Sequence, residues 1–138
     1  MNVYLDSSAV LRVLLQQPKS LSVWGRWERA YASELLHIES CRVIDRLRLQ
    51  GDLDDDGVAN ARGELSRIET TLSRVPLSRP VVERASLPMA TVVKTLDALH
   101  LATAMLIRER IEAQVIFATH DPQQARAARA LGFDCIGT

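Results

Sequence analysis

A chain of 138 residues, 47% of them apolar, is long enough to bury about two thirds of its unfolded surface in one ordinary domain. Its 17 basic and 17 acidic residues cancel, which together with the apolar content excludes a disordered chain and leaves no global attraction to nucleic acid. Any nucleic-acid contact has to be local, and the expectation is a single domain over residues 1–138.

The first apolar run starts at residue 2 with no basic stretch before it, and no apolar stretch approaches twenty residues. The expectation is therefore no signal peptide and no membrane span. Cys41 and Cys135 match no zinc spacing and read as two buried thiols in a reducing cytosol. Lys19 and Lys94 are the only lysines. Arginine suits bidentate contact with phosphate, although genome base composition explains the bias at least as well.

In chain order, residues 2–5 read as a strand, followed by a helix from Ser8 to about Gln17 that Pro18 stops. A second helix is expected over residues 20–30 and a short strand over 31–33. A long helix runs from Glu34 to Gln50, closed by Gly51. Next come a helix over 55–72, a strand over 73–76 and a helical turn or two over 80–86. A helix from Thr95 to Arg110 leads to a strand over 115–118, a helix over 122–131 and a last strand over 134–136. This alternation predicts an α/β fold with a parallel sheet.

Four acids stand out against that frame. Asp6 closes Val3-Tyr4-Leu5 and Asp121 follows the run 115–118, so both fall at the carboxyl ends of parallel strands, where ligands bind in such sheets. Glu39 shares a helical stripe with Leu36, Val43 and Leu47, and Asp97 sits inside Leu96-Asp97-Ala98-Leu99-His100-Leu101-Ala102. An isolated carboxylate pays several kcal/mol to leave water. Mg²⁺ or Mn²⁺, hard cations that prefer oxygen, would partner these four.

Each acid also has a structural alternative. Asp121 before Pro122 is a helix N-cap signal, and Asp6 before Ser7-Ser8 is another. Glu39 could pair with Arg42 or Arg46, and Asp97 with Lys94. Capping does not exclude metal binding. The segment Asp52 to Gly57 copies the opening of a calcium-binding EF-hand loop, but the twelfth position is Gly63 rather than glutamate, so it reads as a solvated turn with Asp54 as N-cap. His37, His100 and His120 share no ligand spacing and read as hydrogen-bonding residues. Trp24, Trp27 and Tyr31, at i, i+3 and i+7, read as core or as an aromatic interface stripe.

With these residues located, the chain resembles a PIN-domain ribonuclease, and specifically the VapC-type toxins of bacterial toxin–antitoxin pairs. Residues 3–11 are similar to the first motif, an apolar strand, an Asp, two small residues and a helix. Ser33 to Glu39 resembles the second, Leu96 to Ala104 is the most specific match, and Phe117 to Asp121 followed by Ala130 to Phe133 completes the order. His120 departs from the asparagine or other polar residue often found there.

The resemblance implies a three-layer α/β/α fold around a mostly parallel sheet of about 4–5 short strands. It implies a Mg²⁺- or Mn²⁺-dependent endoribonuclease that leaves a 5′-phosphate and a 3′-hydroxyl, with Asp6, Glu39, Asp97 and Asp121 as metal ligands and catalytic residues. Ser7, Ser8 and Thr119 would orient the carboxylates, and Arg12 would contact phosphate. A VapB-type antitoxin, a homodimer, an RNA substrate and a cytoplasmic setting without membrane contact follow from the same likeness. An RNA-processing or structure-specific DNA nuclease without an antitoxin, and a non-catalytic protein-binding relative, are the alternatives. An aspartyl-phosphate receiver lacks its paired acids and late lysine here.

Overall fold

The computed structural model describes residues Met1–Thr138. Five strands form one sheet: β1 (Asn2–Leu5), β2 (Arg29–Ser33), β3 (Ser73–Val75), β4 (Val115–Ala118) and β5 (Cys135–Ile136), in the order β3-β2-β1-β4-β5. All four pairings are parallel. The helices are α1 (Ser7–Leu14), α2 (Leu35–Leu49), α3 (Asp55–Thr70), α4 (Arg79–Ala85), α5 (Thr95–Ile111) and α6 (Pro122–Ala130).

Alternation along β1 divides the core in two. Val3 and Leu5 point to one face, where they meet Ala9 and Val10 of α1, Leu36 of α2 and Ile68 of α3. Tyr4 points to the other and packs with Leu101, Ala104 and Ile107 of α5 and Ala127 and Ala128 of α6. Helices therefore cover both faces, giving three layers. A smaller cluster of Leu14, Ile44, Ala61 and Leu65 binds α1, α2 and α3 to one another. Full burial of each such branched or aromatic side chain contributes roughly 1.5–3 kcal/mol.

The predicted helix over residues 20–30 does not form. Leu21 to Gly25 make a turn with i→i+3 bonds, Gly25 takes φ +79°, and the chain enters β2 two residues earlier than expected. A positive φ ends a right-handed helix, and Asn2 recruits Arg29 into register at the amino ends of β1 and β2. The aromatic stripe dissolves with it. Trp24 and Trp27 meet edge to face against the first core, whereas Tyr31 lies on β2 and packs on the opposite face.

The two cysteines are half-buried rather than sunk in the core. Cys41 lies beside His37 and Arg62, and Cys135 donates to the Ala125 carbonyl. Asp54 caps α3, its Oδ1 accepting from the Gly57 amide at 2.7 Å. No helix is long and apolar enough to cross a membrane.

Strand order reverses direction at β1, with β2 on one side and β4 on the other. The crevice of a doubly wound sheet opens at such a point, beyond the carboxyl ends of the strands. Asp6 and the segment Thr119–Asp121 stand there.

Candidate active site at the carboxyl edge of the sheet

Asp6 is 6% exposed and sits where β1 gives way to α1. It does not cap α1 through its side chain. Its Oδ2 instead accepts from the hydroxyls of Ser8 and Thr119, both at 2.8 Å. Those hydroxyls are themselves aimed: Ser8 Oγ accepts from the His120 amide at 3.0 Å and Thr119 Oγ1 from the Asp121 amide at 3.1 Å. The backbone after β4 thus fixes two hydroxyls, and they fix one carboxylate.

Glu39 enters from α2 with its side chain 26% exposed. Oε1 accepts from Ser7 Oγ at 3.0 Å and lies 2.7 Å from Nε2 of His100. The expected alternative, a pair with Arg42 or Arg46, is not made; Arg42 turns to Asp45. His100 is 1% exposed and its Nδ1 lies 2.7 Å from the Tyr4 hydroxyl. A carboxylate only accepts, so Nε2 donates to Glu39; with a neutral ring the Tyr4 hydroxyl then donates to Nδ1. Burial pushes the His100 ring down, but the Glu39 hydrogen bond and the charges of Asp6, Glu39 and Asp97 outweigh it and hold its pKa above the ordinary value. Burial first, and then Asp6, push the Tyr4 phenol well up.

Asp97 is carried by the first turn of α5 and has no cationic partner; Lys94 does not reach it. Burial raises its carboxyl above the usual range, and the charges of Asp6, Asp121 and Glu39 raise it further against an opposing contribution from His100. Asp121 caps α6, its Oδ1 accepting from the Gln123 amide at 2.9 Å.

Each of the four carboxylates keeps at least one oxygen without a protein hydrogen bond: Oδ1 of Asp6, Oε2 of Glu39, Oδ2 of Asp121 and both oxygens of Asp97. An all-carboxylate donor set of this kind fits a hard divalent cation. No three Asp, Glu, His or Cys side chains stand close enough to make a ready-formed metal cluster.

Arg12 does not touch the acids. Its guanidinium donates to the Lys19 carbonyl at 3.3 Å and lines a groove that also takes in Ser8, Arg46, His120 and Asp121. His100 is the residue whose place in the site the sequence pattern left unassigned. Its one legible signal is the spacing of three from Asp97, which sets both on one face of a helix.

The PIN-domain family model matches residues 3–130. Over 138 residues, covering 95% of this chain and 93% of its own length, Ribonuclease VapC47 of Mycobacterium tuberculosis is 30% identical. A toxin–antitoxin complex from Klebsiella pneumoniae has the same fold, with TM-score 0.66 at 15% identity, covering 97% of this chain and 95% of that one. VapBC2 from Rickettsia felis, bound to a promoter DNA fragment, also gives TM-score 0.66, at 12% identity over 99% and 98% of the two chains. The five-stranded parallel sheet flanked by helices belongs with these proteins: the chain is a member of the PIN-domain family, of the VapC type.

Proposed function

We propose that this protein is a Mg²⁺- or Mn²⁺-dependent endoribonuclease that acts as the toxin of a type II toxin–antitoxin pair in the cytoplasm. The observation that carries the reading is the network that holds Asp6 through Ser8 and Thr119 and Glu39 through Ser7 and His100, and the Asp97 carboxyl, raised by burial and then by Asp6, Asp121 and Glu39, accords with it. Four acids that feel one another, each with an uncommitted oxygen, hold negative charge that a cation would neutralise.

In this reading Asp6, Glu39, Asp97 and Asp121 hold the metal. When bound, a divalent ion supplies the Lewis acidity that lowers the pKa of a water and offsets charge developing on the phosphodiester. The chain's own residues orient the ligands. Ser8 and Thr119 fix Asp6, while Ser7 and His100 fix Glu39, and each of these two carboxylates keeps its other oxygen uncommitted. Attack by water on phosphorus, in line with the 3′ oxygen, leaves a 5′-phosphate and a 3′-hydroxyl.

The relative's ribonuclease name and the antitoxin complexes among the structural neighbours support an RNA substrate and a VapB-type partner; that the toxin is a homodimer is proposed from the family resemblance alone. Brief expression of the wild-type chain alone should slow growth, and sequencing of RNA ends should reveal new 5′-phosphates absent with Asp97→Asn. If the chain is harmless while the purified protein cuts RNA well, a processing nuclease without an antitoxin is the better reading.

A further inference from the structure

The groove beside the acids has a volume of about 520 Å³ and runs between α1 and α2 from Ser8 and Asp121 towards Leu53. Its polar lining includes two guanidinium groups, Arg12 and Arg46. Neither is spent on a carboxylate. Arg12 donates only to the Lys19 carbonyl, whereas on the same helix as Arg46 the neighbours Arg42 and Arg48 are both engaged by Asp45. Arg48 is held most firmly, through Nε at 3.2 Å and Nη2 at 2.7 Å.

Helix geometry aligns these arginines with the acids. Arg12 lies four residues beyond Ser8 on α1, a rise of about 6 Å, and Arg46 lies seven beyond Glu39 on α2, a rise of about 10 Å. Spacings of four and seven keep each pair on one helix face, so both arginines stand along the path that leads away from the carboxylates. The lining between them is aliphatic, with Leu11, Val43 and Leu47.

We infer that this groove is a binding subsite for single-stranded RNA flanking the scissile phosphate, with Arg12 and Arg46 each contacting a backbone phosphate. The inference rests on the nuclease reading. Charge complementarity and continuity with the acids argue for RNA as the occupant. A strand whose scissile phosphate lies at the carboxylates must leave over an adjoining surface, and this one offers unpaired guanidinium groups in a chain with no net positive charge. The lining has no Phe, Tyr or Trp on which bases could stack and only one imidazole, His120, at its end beside the acids, so the subsite contributes affinity mainly through phosphates and reads little sequence.

The test is fluorescence anisotropy of a labelled single-stranded RNA oligonucleotide on the full-length chain carrying Asp97→Asn, in MgCl₂, over a series of KCl concentrations. Adding Arg12→Gln or Arg46→Gln should weaken binding for every oligonucleotide sequence tried. The double substitution should lower the slope of log K against log[KCl] by about 1.4, the sum of two single-strand phosphate contacts at about 0.7 each. Arg48→Gln should leave affinity and slope where they were. Thermal melts that coincide for all variants keep the comparison free of folding effects. If the Asp97→Asn protein binds RNA and neither groove substitution changes the slope, or Arg48→Gln lowers it equally, the subsite is overturned and the nuclease reading survives. If it binds no RNA and the wild-type chain cuts none, both fall together.

Discussion

Nε2 of His100 lies 2.7 Å from Oε1 of Glu39, joining α5 to α2 across the carboxyl edge of the sheet. These helices cover opposite faces, so the pair ties the two outer layers together at the site. Removing the ring's donor should free Glu39 to rotate. We expect His100→Leu, which has no donor, to lower cleavage and Mn²⁺ affinity by about 10- to 100-fold, the usual cost of losing a group that orients a metal ligand. Calorimetric Mn²⁺ titration beside a cleavage assay would show it, and equal affinity in both proteins would deny the ring that role.

The same contact has a pH signature. The folded-state pKa of His100 is raised above its unfolded value, near 6.5, so the charged ring favours the fold. That benefit is complete below the unfolded pKa and disappears as pH rises through the folded one. Urea melts at stepped pH should therefore show the advantage of wild type over His100→Gln shrinking above about pH 6.5. An advantage that grows with pH would mean the ring is held neutral.

For Asp97 the sign is opposite. A carboxyl whose pKa is raised on folding costs the native state when ionised, so the cost is absent below about pH 4 and grows as pH rises through the unfolded and then the folded value. In EDTA near neutral pH, Asp97→Asn should be more stable than wild type by about 1 kcal/mol, within the range for relieving a strained functional site. Saturating Mn²⁺ should reverse the ranking, since a ligand at a hundredfold excess over Kd adds about 2.7 kcal/mol to the protein that binds it. Denaturant melts of both proteins with EDTA and with Mn²⁺ decide the matter.

Gly137 lies against the backbone of Thr119, whose hydroxyl donates to the Asp6 carboxylate. Its φ is +104°, and a Cβ there would stand 2.4 Å from the Thr119 carbonyl oxygen. Gly137→Ala should destabilise the protein by about 2–3 kcal/mol, from backbone strain and forced displacement of Thr119. Cleavage should fall with it, because Thr119 donates to Asp6. A urea midpoint equal to wild type would show that the loop yields without cost.

The acidic turn from Asp52 to Gly57 should be inert. Asp54→Asn keeps a good N-cap for α3, and Asp56 is exposed, so cleavage by the double asparagine variant should stay within about twofold of wild type. A tenfold loss would make this turn part of the site.

The strands and long helices were legible because their signals are local: an apolar run closed by Asp6, a glycine after Gln50, the Asp121-Pro122 start of α6. The order of the acids was legible for the same reason, since strand ends and helix stripes can be counted. The false helix over residues 20–30 shows the limit. Its aromatic spacing suited a helix, yet Gly25 and the pull of Asn2 on Arg29 turned it into a turn and a strand. His100 shows another limit, because its partners Tyr4 and Glu39 lie 96 and 61 residues away. No local pattern records such a meeting.

The most direct test of the account is single-turnover cleavage of an RNA oligonucleotide by the purified chain, with Mn²⁺ and with excess EDTA, beside folded Asp97→Asn. We predict cleavage by wild type in Mn²⁺ alone, products bearing 5′-phosphate and 3′-hydroxyl ends, and a rate for Asp97→Asn lower by orders of magnitude. Undiminished cleavage in EDTA, or by Asp97→Asn in Mn²⁺, would contradict a metal-dependent site built from these acids.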